Sequence, residues 1–188
     1  MFYVPVILGS VRRGRKSPIV ARFVVEQLRG SGKFEPELID LAEYNLPIME
    51  ERLRFRDDSP PAVIEMGAKL ARADAIVVVS PEYNGSYPGV LKNALDYFLP
   101  EYNRKPIGIV TVSSGGFGGV NALAQLRLLF LALGAYPISS GLRVSRVQDA
   151  SDENDSPKDP LLEKAAKAFT AELLWLTEAL TAKKLVET

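Results

Sequence analysis

Residues Ala75 to Phe98 read AIVVVSPEYNGSYPGVLKNALDYF, and this stretch decides the fold. Its opening run, Ala75 to Val79, is apolar without alternation, the pattern of a strand buried on both faces of a parallel sheet. The run breaks at Ser80-Pro81 into a loop carrying an acid, two tyrosines, an amide and two glycines, and after Pro88 the chain resumes as a helix. Strand, polar loop and helix in that order build a binding crevice at the carboxyl edge of an open α/β sheet.

The same alternation extends in both directions. Phe2 to Leu8 reads as a first strand, with Pro5 an awkward guest because it lacks a ladder donor. A basic loop, Val11 to Lys16, leads to a helix that Ser17 should cap and Pro18 should open. Phe34 to Leu41 reads as a strand, and Pro36 places it at a sheet edge. Residues 42–59 read as a long connection of mixed charge, either solvated or a rim over the site, and Pro60 to Arg72 as a helix. After the central stretch come a strand at Lys105 to Ser113, a helix from Val120 to Leu133 stopped by Gly134, and a short strand at Ala135 to Ser139, which Leu142 to Val147 could continue. A polar segment, Gln148 to Asp159, precedes a last helix from Pro160 with Asp159 as its cap. Strands alternating with helices require right-handed crossovers, hence a parallel sheet with helices on both faces. The expectation is a three-layer α/β sandwich with a five-stranded parallel sheet, residues 1–188 forming a single domain.

Composition excludes several functions. The chain has equal numbers of acidic and basic residues, 23 each, so no polyanion partner is indicated and nucleic acid is not expected. It has no cysteine, which excludes a disulfide framework, a thiol nucleophile and a thiolate metal site. It also has no histidine, the commonest acid–base residue and metal ligand. An enzyme built from this chain must use other side chains or let a cofactor carry the chemistry. The N-terminal MFYVPVILGSVRRG lacks the basic start and cleavage site of a signal peptide, and no apolar run approaches the ~20 residues of a membrane span. A cytoplasmic protein without membrane contact is expected.

In such a sheet, residues 9–17 (GSVRRGRKS), 80–89 (SPEYNGSYPG) and 113–119 (SSGGFGG) emerge at one edge. The first suits phosphate: Ser10 and Ser17 offer hydroxyls, a helix N-terminus offers free N–H groups, and Arg12 and Arg15 add charge. Four cations in five residues without an acidic neighbour would repel one another unless an anion binds. Gly9 to Ser17 approaches the P-loop pattern, but Arg15 intervenes between glycine and lysine, and no strand ends in the dinucleotide spacing G-x-G-x-x-G. In the second loop Tyr83 and Tyr87 can lie against a ring while Asn84 and the backbone of Glu82 to Gly85 bond its edge. In the third, Gly115 and Gly116 let the backbone approach a flat ligand, and Ser113 and Ser114 supply hydroxyls.

Gly9-Ser10-x-Arg12, the block Pro81-Glu82-Tyr83-Asn84-Gly85 leading into Leu91-Lys92-Asn93-Ala94-Leu95-Asp96, and Ser114-Gly115-Gly116 before a helix together resemble the NAD(P)H-dependent FMN reductases, a family that includes chromate and quinone reductases. The resemblance covers roughly residues 2 to 140 and implies a flavodoxin-like fold. It implies bound FMN, with Ser10, Arg12, Arg15 and Ser17 at its phosphate. Pro81, Glu82, Tyr83 and Asn84 would bind the isoalloxazine with the Gly85 N–H nearby, and Ser113, Ser114, Gly115 and Gly116 would face its other edge. NADPH or NADH would be the donor, with Arg13, Arg15 and Lys16 as cations for a 2′-phosphate, and a small-molecule electron acceptor would complete a ping-pong cycle. No catalytic side chain is required. A flavodoxin-type one-electron carrier and a phosphate-binding nucleotide module are the alternatives. The family implies a homodimer or homotetramer, and Leu91, Leu95, Phe98, Leu99 and Tyr102 offer an interface helix or simply internal packing.

Overall fold

The structure, a computed structural model, describes residues 1–149 and 159–187. In chain order the elements are β1 (Phe2–Leu8), α1 (Ser17–Gly30), β2 (Phe34–Asp40), α2 (Leu41–Tyr44), α3 (Pro61–Arg72), β3 (Ile76–Pro81), α4 (Gly89–Asp96), β4 (Pro106–Val112), α5 (Val120–Ala132), β5 (Tyr136–Pro137), β6 (Leu142–Val144) and α6 (Pro160–Glu187). Every strand pairing is parallel and the order is β2-β1-β3-β4-β5. This is the doubly wound order of flavodoxin-like sheets, in which the strand order reverses at β1 and opens a crevice between β1 and β3. The expected fifth strand is split: β5 pairs with the start of β4 at Pro106 and Ile107, and β6 pairs with its end from Val110 to Val112. Most of the polar segment from Gln148 to Asp159 lies outside the described residues.

Alternation within the central strands divides the interior in two. Val4, Val6, Leu8, Val77, Val79, Val110 and Val112 face α1 and α6. Ile7, Ile76, Val78, Ile107 and Ile109 face α3, α4 and α5. Pro5 is tolerated because the N–H groups of Tyr3 and Gly9 both point toward β3, so the donor that Pro5 lacks falls on that side, below the start of the ladder at Val6. Pro36 lies in the edge strand β2, as expected. Helix α5 ends in the anticipated glycine: Gly134 has φ +74°, its N–H donates to Leu131, and the Ala135 N–H reaches Phe130. Asp159 caps α6, its carboxylate accepting the Leu161 N–H at 2.8 Å.

Two expectations are corrected. Strand β3 continues through Ser80 and Pro81, both paired with β4, so the loop starts two residues later, at Glu82. Residues 42–59 are neither a purely solvated connection nor without structure. They begin in α2 and form a strap whose Leu46, Met49 and Leu53 pack onto the α3–α4 side of the core. Asn93 pins it, accepting the Met49 N–H at 2.8 Å and donating to the Pro47 carbonyl at 2.7 Å. Among the described residues, no helix is long and apolar enough to cross a membrane.

Candidate functional site

The first loop leaves β1 flush against α4: a Cβ on Gly9 would lie 2.8 Å from Leu91 Cδ2. Ser17 does not cap α1. Lys16 holds the capping position without a side-chain bond, and Ser17 is the first helical residue. A residue inside the first turn is past the point from which a side chain can accept the orphan N–H groups ahead of it. Ser17 is 3% exposed, and among the described residues its Oγ has no hydrogen-bond partner. A buried unpaired hydroxyl costs about 1–3 kcal/mol. Placed at a helix N-terminus beside free N–H groups, it is a donor matched to an anion, and the residues present fit a phosphate.

Arg15 is engaged elsewhere. Its guanidinium grips both oxygens of Asp40, at 2.7 and 2.6 Å, and donates to the Ser10 carbonyl. The hydrogen bond to Asp40 raises the guanidinium pKa further. The basic loop therefore does have an acidic neighbour, supplied by the end of the edge strand, and Arg15 is not a spare cation. Arg12, Arg13 and Lys16 are exposed. The Ser10 hydroxyl is buried and lies 2.9 Å from the Tyr83 hydroxyl, joining the first loop to the second.

The second loop is a tight hairpin. Asn84 (φ +52°) and Gly85 (φ +76°) take the two left-handed positions, and Tyr83 and Ser86 exchange N–H···O bonds of 2.8 and 3.0 Å. Asn-Gly with both φ positive is a primed turn. Among the described residues, neither the Asn84 nor the Gly85 N–H has a partner. The carboxylate of Glu82 turns back to α5, where Oε2 accepts the N–H groups of Asn121 at 2.8 Å and Ala122 at 3.0 Å. Burial pushes this carboxyl up, but bonds from the Ala122 N–H, the Asn121 side-chain amide and the Asn121 N–H outweigh it and leave the pKa below the ordinary value. A lowered folded pKa means that the contribution of these bonds is complete above the ordinary carboxylate range and is lost only as pH falls below it.

The third loop is clasped from outside. Ser113 donates to Val144 and accepts the Val147 N–H, and the Arg146 N–H reaches the Gly115 carbonyl at 3.1 Å. A side chain at Gly118 (φ +63°) would meet Arg143 Cβ at 2.8 Å, so the close approach there requires glycine.

The three loops meet around a cleft of about 220 Å³. Arg12, Arg15 and Ser17 line it from the first loop, Pro81, Glu82 and Tyr83 from the second, and Ser113 and Ser114 from the third. Of the other expected site residues, Ser10 lies buried behind Tyr83, and Asn84, Gly85, Gly115 and Gly116 stand outside the cleft wall. Val147 and Gln148 also line it. Sequence reasoning missed them because they follow an edge strand with no motif of its own. A larger cleft of about 510 Å³ between α1 and α6 is reached by none of these loops. Of the expected interface residues, Leu91, Leu95, Phe98 and Tyr102 are buried within this chain and Leu99 is half-buried, which is internal packing and not an exposed interface face.

Residues 3–149 match the family model described as NADPH-dependent FMN reductase. The chain is similar to an NAD(P)H-dependent FMN reductase of Schizosaccharomyces pombe, 37% identical over 151 residues that cover 75% of this chain and 72% of the relative. It is 30% identical over 167 residues to an NADPH azoreductase of Bacillus sp., covering 88% and 89% of the two chains. Among solved structures it resembles FerB, a flavoenzyme NAD(P)H:(acceptor) oxidoreductase from Paracoccus denitrificans, with a TM-score of 0.74, 25% identity and coverage of 97% and 98%. The parallel sheet, the cleft at the switch point and the match over 3–149 agree: this chain belongs to the NADPH-dependent FMN reductase family, oxidoreductases whose cofactors are FMN and NAD(P)H.

Proposed function

We propose that the cleft between β1, β3 and β4 holds FMN and that the protein passes two electrons from NADPH or NADH to a small-molecule acceptor (a quinone, free flavin, azo dye or oxidised metal ion) by a ping-pong hydride mechanism. The observation that carries this reading is the buried Ser17 hydroxyl, without a partner at the N-terminus of α1 and in the wall of the cleft. The residues implied for FMN divide by chemistry. Arg12 and Ser17 line the cleft and serve the phosphate, with Ser10 holding Tyr83 behind it and Arg15 bracing the loop through Asp40. Pro81, Glu82, Tyr83, Asn84 and Gly85 serve one edge of the ring, and Ser113, Ser114, Gly115 and Gly116 the other.

A bound flavin accepts and returns hydride itself, so the chain has only to bind, orient and stabilise charge. No side chain is assigned a proton-transfer role. The Glu82 carboxylate is occupied by α5, and the Tyr83 hydroxyl by Ser10. The unpartnered N–H groups of Asn84 and Gly85 are the fixed dipoles available for negative charge on a reduced ring. Exposed Arg13 and Lys16 offer an anion site for the donor, which favours NADPH over NADH. The whole chain acts as one FMN-binding unit in the cytoplasm, as a homodimer or homotetramer; a light-scattering mass of a single 20.6 kDa chain would remove the oligomer.

Anaerobic mixing of the FMN-loaded protein with NADPH tests the reading. The expected result is rapid, complete loss of the flavin absorbance, restored by a quinone. No loss of colour, together with a dithionite titration in two resolved one-electron steps, would assign an electron carrier instead.

A further inference from the structure

The hairpin at residues 83–86 is fastened to α5 at both of its ends. On the entering side, Glu82 supplies the cap that α5 lacks. The helix starts after Gly119 with no side-chain cap of its own, and the Glu82 carboxylate takes the first free N–H groups from 39 and 40 residues away. Negative charge at a helix N-terminus is favourable both as a hydrogen-bond acceptor and against the helix dipole. Its other oxygen accepts the Asn121 side-chain amide at 3.1 Å. On the leaving side, Gln125 donates Nε2–H to the Gly85 carbonyl at 2.8 Å and accepts the Ser86 hydroxyl on Oε1 at 2.6 Å. Asn121 and Gln125 stand four residues apart, on one face of the helix. One turn and a half of α5 therefore holds the hairpin just before its first residue, at Glu82, and at its last two, Gly85 and Ser86. What lies between the grips is the peptide pair whose N–H groups have no partner among the described residues.

We propose that Glu82 and Gln125 are positioning residues for electron transfer, holding the Asn84 and Gly85 N–H groups in a fixed place and so setting how strongly the site prefers reduced over oxidised flavin. This rests on the FMN site of the proposed function. A donor held in place before charge develops stabilises that charge without reorganising, whereas the same donor on a loose turn must first be ordered. Gln125 bonds the Gly85 carbonyl directly and so fixes the plane of the peptide that follows the turn. Glu82 fixes the strand that precedes it. Neither side chain has to touch the ring. Their effect reaches it through the turn, which is why a potential, and not a rate, is the readout.

The test uses the full chain as wild type, Glu82→Ala, Gln125→Ala and the double variant, with Glu82→Gln as the milder change should the alanine variant fail to fold. FMN affinity is titrated by flavin fluorescence, and the two-electron midpoint potential is found by equilibration with a reference dye. Each single variant is expected to lose about tenfold of the preference for reduced flavin, which for a two-electron couple is a shift of ~30 mV to more negative potential. The double variant should lose less than the product of the two, because both grips restrain one turn. Ser17→Ala is the control: phosphate contacts are the same in both redox states, so FMN binds more weakly and the potential stays. A redox preference unchanged within twofold, about 9 mV, in all the Glu82 and Gln125 variants with FMN bound would reduce both side chains to structural ties and overturn the proposal. A wild-type chain that retains no FMN would instead count against the site itself.

Discussion

Ser17→Ala should raise the melting temperature of the FMN-free chain and weaken FMN binding at the same time. The two effects have one cause. The Ser17 hydroxyl is buried and unpartnered among the described residues, so folding strips it of water without return. Such a group costs about 1–3 kcal/mol, and alanine removes the cost while suiting the first helical turn equally well. For a chain of this length each kcal/mol is worth ~2–4 °C, so the FMN-free variant should melt a few degrees higher. Binding runs the other way. A hydrogen bond to a charged group contributes about 1.5–3 kcal/mol, so its loss should weaken FMN by roughly 10- to 100-fold. Thermal melts of the FMN-free protein and a fluorescence titration check both signs. A structural serine would give lower stability and unchanged affinity.

Phe169→Ala should cost about 3–5 kcal/mol, the range for truncating a buried phenylalanine. Phe169 is 2% exposed on α6 and covers the middle of β4, where Gly108 has no side chain of its own. A Cβ at Gly108 would come within 2.5 Å of the Phe169 ring, so ring and glycine fill one space between helix and sheet. Alanine at 169 leaves that space empty, and neither Gly108 nor Ala166, one helical turn back, is large enough to fill it. Urea or thermal unfolding measures the loss. A drop below about 1 kcal/mol would mean that α6 is not fixed on the sheet through this contact. Since Phe169 is remote from the cleft, FMN affinity of the folded variant should change by less than about twofold.

Much of the fold was legible because the central strands are buried on both faces and therefore read as apolar runs. Ala75 to Val79 and Lys105 to Ser113 needed no partner to be recognised. Their polar loops were legible for the same reason, as sharp departures from those runs. What local pattern missed was the identity of partners brought together by the sheet. Arg15 meets Asp40 because β2 lies beside β1, an adjacency that no spacing within GSVRRGRKS encodes. Glu82 was read as a contributor of backbone alone, but its carboxylate closes a helix that begins 38 residues later. Ser17 failed as a cap because the helix starts one residue earlier than a capping serine would set it. The strap at 42–59 reads as polar because only scattered residues, Leu46, Met49 and Leu53, enter the core, and Asn93 holds it by hydrogen bonds to backbone rather than by an apolar stripe.

The central claim is that the Gly9–Ser17 loop is a phosphate site that anchors a flavin in the cleft. Side-by-side titration of the wild-type chain with FMN and with riboflavin tests it most directly, since the two ligands share a ring and differ in the phosphate. The account predicts that FMN binds at least about a hundredfold more tightly, the worth of two to three charge-assisted hydrogen bonds after desolvation. Equal affinity for the two, or no affinity for either, would contradict it.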